Sequence, residues 1–253
     1  MTDSPYESPL TDITAPPTLQ TITSSPYGSY RDLRGIAKAL LALLVLLGLL
    51  ELVAVGAALF SISEIQSAST DKQLDQLDSI NQGITLFFTL IFLITAVVWC
   101  VWTNKSCKNA WFFNAQSGVR PATEVFKPGW AVGYYFIPLV NLWRPMQAMV
   151  FIRDAITKHT GSVGTIVGWW WFFWILSNIF SKVTDRIYTE NTLEAYIGNQ
   201  NLIIYLSPID VASTISAFIL VKRITRAQTE SAIAHGVITN SAMIPSTQIQ
   251  VIS

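Results

Sequence analysis

The sequence predicts an all-α membrane protein with four transmembrane helices. Three observations carry that reading. Hydrophobic residues make up 51% of the chain and charged residues only 13%, against about 25% charged in a soluble domain. Charges all but vanish from four long blocks. The basic residues then fall almost entirely on one side of the topology that those blocks define.

A helix needs about 20 mainly apolar residues to cross the hydrocarbon core, and in lipid its backbone can bond only to itself. Residues 39–60, 84–102, 163–180 and 201–221 meet that requirement. The first is rich in Leu, Ala and Val, with Glu51 as its one charge. The second carries no charge. The third holds an unbroken aromatic run over residues 169–174, and the fourth a polar strip around Asp210. A fifth apolar stretch, residues 130–143, has only 14 residues and is interrupted by Gly133, Pro138 and Asn141. It suits a re-entrant or interfacial segment better than a crossing.

Charge decides between four crossings and five. With four, 13 Lys and Arg lie with the N-terminus and 3 (Lys72, Lys182 and Arg186) lie opposite; with five, the split is 9 to 7. Lys and Arg stay cytoplasmic. The expectation is therefore a multi-pass protein of the cell membrane with both termini in the cytoplasm.

The domains follow. Residues 1–34 are polar, rich in Pro, Ser, Thr and Tyr, and lack the apolar core of a signal peptide, so a disordered cytoplasmic tail is expected. Residues 35–230 form the membrane domain and residues 231–253 a flexible C-terminal tail. After Arg144, the stripe Met146, Met149 and Val150 predicts an amphipathic helix along the inner membrane face; a cytosolic core helix is the alternative.

The stretch from Pro128 to Pro145, PGWAVGYYFIPLVNLWRP, followed by Gln147, resembles the central signature PGWAVGWWFxPxxNLWRPxQ of a membrane family called domain of unknown function 4328. The Trp-rich segment with Leu176-Ser177-Asn178 and the stretch Val221-Lys222-Arg223-Ile224-Thr225-Arg226 with Gln228 are similar to the family's later motifs. The resemblance covers roughly residues 35–230. It departs at Ser106-Cys107-Lys108-Asn109, where the family often has an Arg-Ala pair before the Asn. It implies a bacterial multi-span membrane protein and no particular activity.

Five residues are candidates for an intramembrane polar site: Glu51, Asp210, Asn178, Asn141 and Arg144. A mid-membrane acid is costly and usually faces the bundle interior. Gly48, Ala54 and Ala58 share a face with Glu51 and allow close helix approach. Glu51 is read either as a proton or cation site or as a hydrogen-bonded packing residue. Asp210, among Ser207, Ser213 and Thr214, is a site or helix glue; the carbonyl freed by Pro208 is a further ligand candidate. Asn141, Arg144 and Asn178 are polar groups at membrane depth or its edge; the backbone that Pro138 and Pro145 bracket is a broken segment of the kind that lines transporter cavities, or an interfacial anchor. The Trp run reads as a lipid-facing or packing surface.

Other chemistry is not expected. Acids and bases balance at 16 each, so no field draws nucleic acid. Cys100 and Cys107 share a helical face at the cytoplasmic end, where thiols stay reduced. His159 and His235 are far apart without a neighbouring cysteine, so no metal site is expected. No Walker A, nucleophile elbow or Gly-rich loop occurs, so neither cofactor nor catalysis is expected. The expected partners are the lipid bilayer and a protein partner or second copy. The expected function is that of a non-enzymatic scaffold, sensor or assembly module; the alternative is a small transporter or channel subunit that uses the intramembrane acids.

Overall fold

The computed structural model describes residues 25–67, 71–117, 126–157, 163–187 and 193–238. All regular structure among them is helical: α1 (Arg34–Ser67), α2 (Asp71–Gln116), α3 (Pro128–Gly133), α4 (Arg144–Thr157), α5 (Ile166–Ile187) and α6 (Leu193–Ala234). Two 3-10 turns, Tyr134–Phe136 and Val140–Leu142, join α3 to α4.

Local chemistry sets the helix ends. The Arg34 N–H donates to Asp32 Oδ1 at 2.9 Å, which caps an orphan amide at the start of α1. Pro128 opens α3 and Pro145 lies in the first turn of α4, where a missing N–H leaves no bond unmade. Gly164 has φ +74, and a Cβ there would meet Arg223 Nη1 at 3.2 Å. Glycine is required there, at the turn that leads into α5.

The long helices alternate in direction. Thr214 of α6 meets Glu51 of α1, and Asn81 of α2 reaches Ser61 of α1 and Tyr196 of α6. Ser177 of α5 meets Asp210, while Val163 just before α5 meets Arg223. So α1 and α5 run one way and α2 and α6 the other. Both ends of the described chain meet at the far end of α2. There Asn109 bonds Arg31 and Gln228, and Phe113 contacts Tyr30 and His235.

Among the described residues, three stretches are long and apolar enough to cross a membrane: Arg34–Ile65, Ser79–Gln116 and Glu194–Ala234. α5 is not among them, its described side chains forming a shorter stretch, residues 166–182. The helices also run well past the expected spans. α2 has 46 residues and extends about 69 Å at 1.5 Å per residue, against a hydrocarbon core of about 30 Å. Residues 61–67 and 71–83, expected as a loop between spans, continue the helices, because nothing in them stops a helix.

The core sits at the Asn109 end. Trp102, Phe113, Met149, Ile152, Ile156, Leu220 and Ile224 are fully buried there. The amphipathic helix expected after Arg144 is α4, but its buried stripe is Ala148, Met149, Ile152, Ala155 and Ile156. That face packs on α2, α5 and α6, so α4 is part of the bundle's core.

The expected tails are shorter than drawn. Leu33 is fully buried, Tyr30 packs on Phe113, and the Arg31 backbone is bonded on both sides by Asn109. Residues 25–33 therefore belong to the fold. At the other end α6 continues to Ala234, with Ser231 and Ala232 buried. Residues 1–24 and 239–253 lie outside the described residues, as does His159.

Candidate functional site

A cavity of about 340 Å³ opens between α1, α2, α5 and α6, in the half of the bundle remote from Asn109. Glu51 and Ala54 enter from α1, Ile84, Thr85 and Phe88 from α2, and Ser177, Phe180 and Ser181 from α5. α6 supplies Asn199, Leu202, Ile203, Leu206, Ser207 and Asp210. Both candidate acids thus face one space. Among the described residues, no Lys or Arg lines it. Two carboxyl groups with no basic partner in a low-dielectric wall need a proton or a bound cation to be neutral.

Each carboxyl also reaches a neighbouring helix. Thr214 Oγ1 donates to Glu51 Oε1 at 2.9 Å. Glu51 Oε2 is buried and has no hydrogen-bond partner. The Ser177 hydroxyl donates to Asp210 Oδ1. These bonds tie α1 and α5 to α6, through different turns of α6. A Cβ added at Gly48 would meet the Thr214 methyl at 3.7 Å, ordinary contact, so the small face around Glu51 does bring α1 close to α6. Ala58 on that face is fully buried.

The sequence candidates separate here. Glu51 and Asp210 come together. Asn178 points away: it is exposed, and its Nδ2 donates to the Trp174 carbonyl of its own helix at 2.7 Å. Its neighbour Ser177 is the residue that reaches Asp210, because one step along a helix turns the side chain by about 100°. Asn141 and Arg144 lie at the α3–α4 connection, outside the cavity lining. Asn141 Oδ1 is buried without a partner. The carbonyl freed by Pro208 is not available either, since Ser207 Oγ donates to Ile204 O at 3.0 Å. Asp210 thus finds its hydroxyl on α5 and not on its own helix.

The aromatic run splits by the same rotation. Trp170 and Trp171 are buried, and Trp170 stacks on Trp99 with ring centroids 5.3 Å apart. Trp169 and Phe172 are exposed. Packing and outward surface alternate, as expected. Cys107 is buried and donates to the Phe126 carbonyl at 3.3 Å, while Cys100 is half-buried. Among the described residues, no three His, Cys, Asp or Glu converge as metal ligands.

The family model described as Domain of unknown function (DUF4328) matches residues 65–226. The chain belongs to this family. The DUF4328 match runs from the end of α1 through most of α6. It includes Asp210, Ser177 and Asn109, and leaves Glu51 and the docked segment 25–33 outside. No curated protein and no solved structure matches the chain.

Proposed function

We propose that the protein is a four-span membrane module that binds a proton or a small cation between Glu51 and Asp210, as a small transporter or channel subunit does. α5 serves as the fourth crossing: its 22 residues extend about 33 Å, enough for the hydrocarbon core. The chain ends face the cytoplasm with the Asn109 end, on the side of the 13 basic residues. In this reading the protein performs no covalent chemistry.

The observation that supports it is the shared cavity. Two acids distant in sequence line one space with hydroxyl and amide neighbours and no base. Oxygen ligands of this kind suit a proton, an alkali ion or an ammonium group, and do not select a transition metal.

A second reading is favoured by the Thr214–Glu51 and Ser177–Asp210 bonds. In it the acids are glue between helices, and the protein is a non-enzymatic scaffold. Reconstituted vesicles with an internal pH dye distinguish the two. Under the transport reading, Asp210→Asn and Glu51→Gln insert normally and abolish a cation-driven or voltage-driven pH change. Under the scaffold reading there is no such change in the parent, the Asn and Gln variants match its stability, and Asp210→Leu loses it.

A further inference from the structure

Residues 126–145 trace a path with a purpose the cavity does not explain. The Phe126 carbonyl accepts from Trp111 Nε1 at 3.0 Å, near the end of α2. Nine residues on, Tyr135 OH accepts from Trp99 Nε1 at 3.1 Å. Phe151 of α4 is back beside Trp111, with centroids 5.9 Å apart. The chain climbs α2 by 12 residues, about 18 Å, and returns on the same side. Its tip lies level with Trp99, in the last turn of the apolar stretch 84–102.

That tip is apolar and bare. Phe136 is 74% exposed and Leu139 is 73% exposed, with Trp130 and Trp143 flanking them about half exposed. Leu139 takes φ +65, a strained value for a bulky residue. The turn pairs four of its own amides: those of Val140, Asn141, Leu142 and Trp143 donate to carbonyls 138, 137, 139 and 140. That lowers the cost of bringing the tip into hydrocarbon.

Among the described residues, the cation beside the tip has no acid partner. Arg34, Arg153 and Arg226 each pair with a carboxylate. Among the described residues, Arg144 donates to the neutral Gln147 amide at 3.3 Å, and its guanidinium carbon lies 5.6 Å from the Tyr134 ring centroid. Trp130 stacks on the same ring, with centroids 5.5 Å apart. The ring face holds the guanidinium in place and leaves its other donors for a ligand.

We infer that the tip from Trp130 to Arg144 is a binding site for an anionic phospholipid. Phe136 and Leu139 enter the acyl layer of one leaflet, and Arg144 takes the headgroup phosphate with two N–H donors. The inference rests on membrane embedding and not on what Glu51 and Asp210 bind.

The test uses the full chain in phosphatidylcholine vesicles with spin-labelled phosphatidylglycerol or spin-labelled phosphatidylcholine. The fraction of label immobilised by the protein should favour phosphatidylglycerol. Arg144→Gln should reduce that preference about fivefold, the worth of one arginine at an anionic surface. Tyr134→Leu keeps the charge but removes the ring that positions it, and should reduce the preference in part. Equal immobilisation of the two lipids by the parent overturns the proposal. So does a preference that neither variant changes, which would place it on other basic residues. Loss of the preference on adding inorganic phosphate at constant ionic strength also overturns it, because the site would then take free phosphate. The pH-dye measurement with the acid variants is read separately, so either idea can fail alone.

Discussion

At the Asn109 end of the bundle, α2, α4 and α6 close around Trp102, Met149, Ile152 and Leu220, all without exposed surface. At the Glu51 end, α1, α2, α5 and α6 part around a cavity of about 340 Å³. The first end resembles the interior of a soluble domain, with its polar groups knitted together: Asn109 bonds the Arg31 backbone and Gln228, Gln228 bonds the Ser106 carbonyl, and Trp102 bonds Thr225. The second end bonds helix to helix through hydroxyls on Glu51 and Asp210 and, beyond them, through the Asn81 amide. The difference separates two jobs along one set of helices. At the Asn109 end, packing fixes the relative positions of the helices. That leaves the other half free to keep an open, polar space.

Stability should therefore be unevenly distributed. Asn109→Ala is expected to have the largest effect. It leaves the Arg31 N–H and C=O and the Gln228 side-chain oxygen without their partner, each worth roughly 1–3 kcal/mol when buried. A loss of about 4 kcal/mol in detergent unfolding is expected; a loss below about 1 kcal/mol would show that the docked segment is incidental. Next, Ile152→Ala should cost about 3 kcal/mol, as a full-size core truncation does. Leu202→Ala, on the cavity wall, should cost about 1 kcal/mol or less, because the site already lacks neighbours on one side. Equal losses would erase the contrast between the halves.

Glycines give a third comparison. Gly164→Ala should cost about 1–2 kcal/mol, since it forces a Cβ into a left-handed backbone beside Arg223. Gly48→Ala should be neutral or stabilising by up to about 1 kcal/mol, because the Cβ meets only the Thr214 methyl at normal contact and alanine favours helix.

The smallest effect belongs to the exposed pair at the start of α1. The Arg34 side chain holds the Asp32 carboxyl below the usual carboxylate range. A depressed folded value means the stabilisation is complete above the unfolded value of about 3.9 and disappears as pH falls through the folded value. Because both groups are about half exposed, Asp32→Asn should cost under about 1 kcal/mol at pH 7. Its melting curve should merge with the parent's as pH falls through the folded value of Asp32.

Hydropathy made the long helices legible, because lipid demands runs of apolar residues and little else produces them. It could not place their ends, since polar helix formers carry α1, α2 and α6 past the membrane without a stop signal. The inward aim of Glu51 and Asp210 was readable from the cost of a carboxyl against hydrocarbon. Their meeting at one cavity was not, because residues 51 and 210 are related only through the antiparallel packing of α1 on α6. Ser177 was missed in favour of Asn178 because composition marks the more polar residue, whereas helix rotation chooses the one that faces Asp210. The docking of residues 25–33 was hidden by their tail-like composition. Its signal was Leu33 and the aromatic Tyr30, set just before α1.

The meeting of the chain's two described ends around Phe113, with Tyr30 on one side and His235 on the other, frees the order of the helices from the order of the gene. A short polar linker could join residue 238 to residue 25 at that end of the bundle. New termini placed between residues 117 and 126 would open at the same end. The rearranged chain would present α5 and α6 before α1 and α2, with every helix keeping its direction. The bundle should assemble in either order, because each helix keeps the neighbours it packs on.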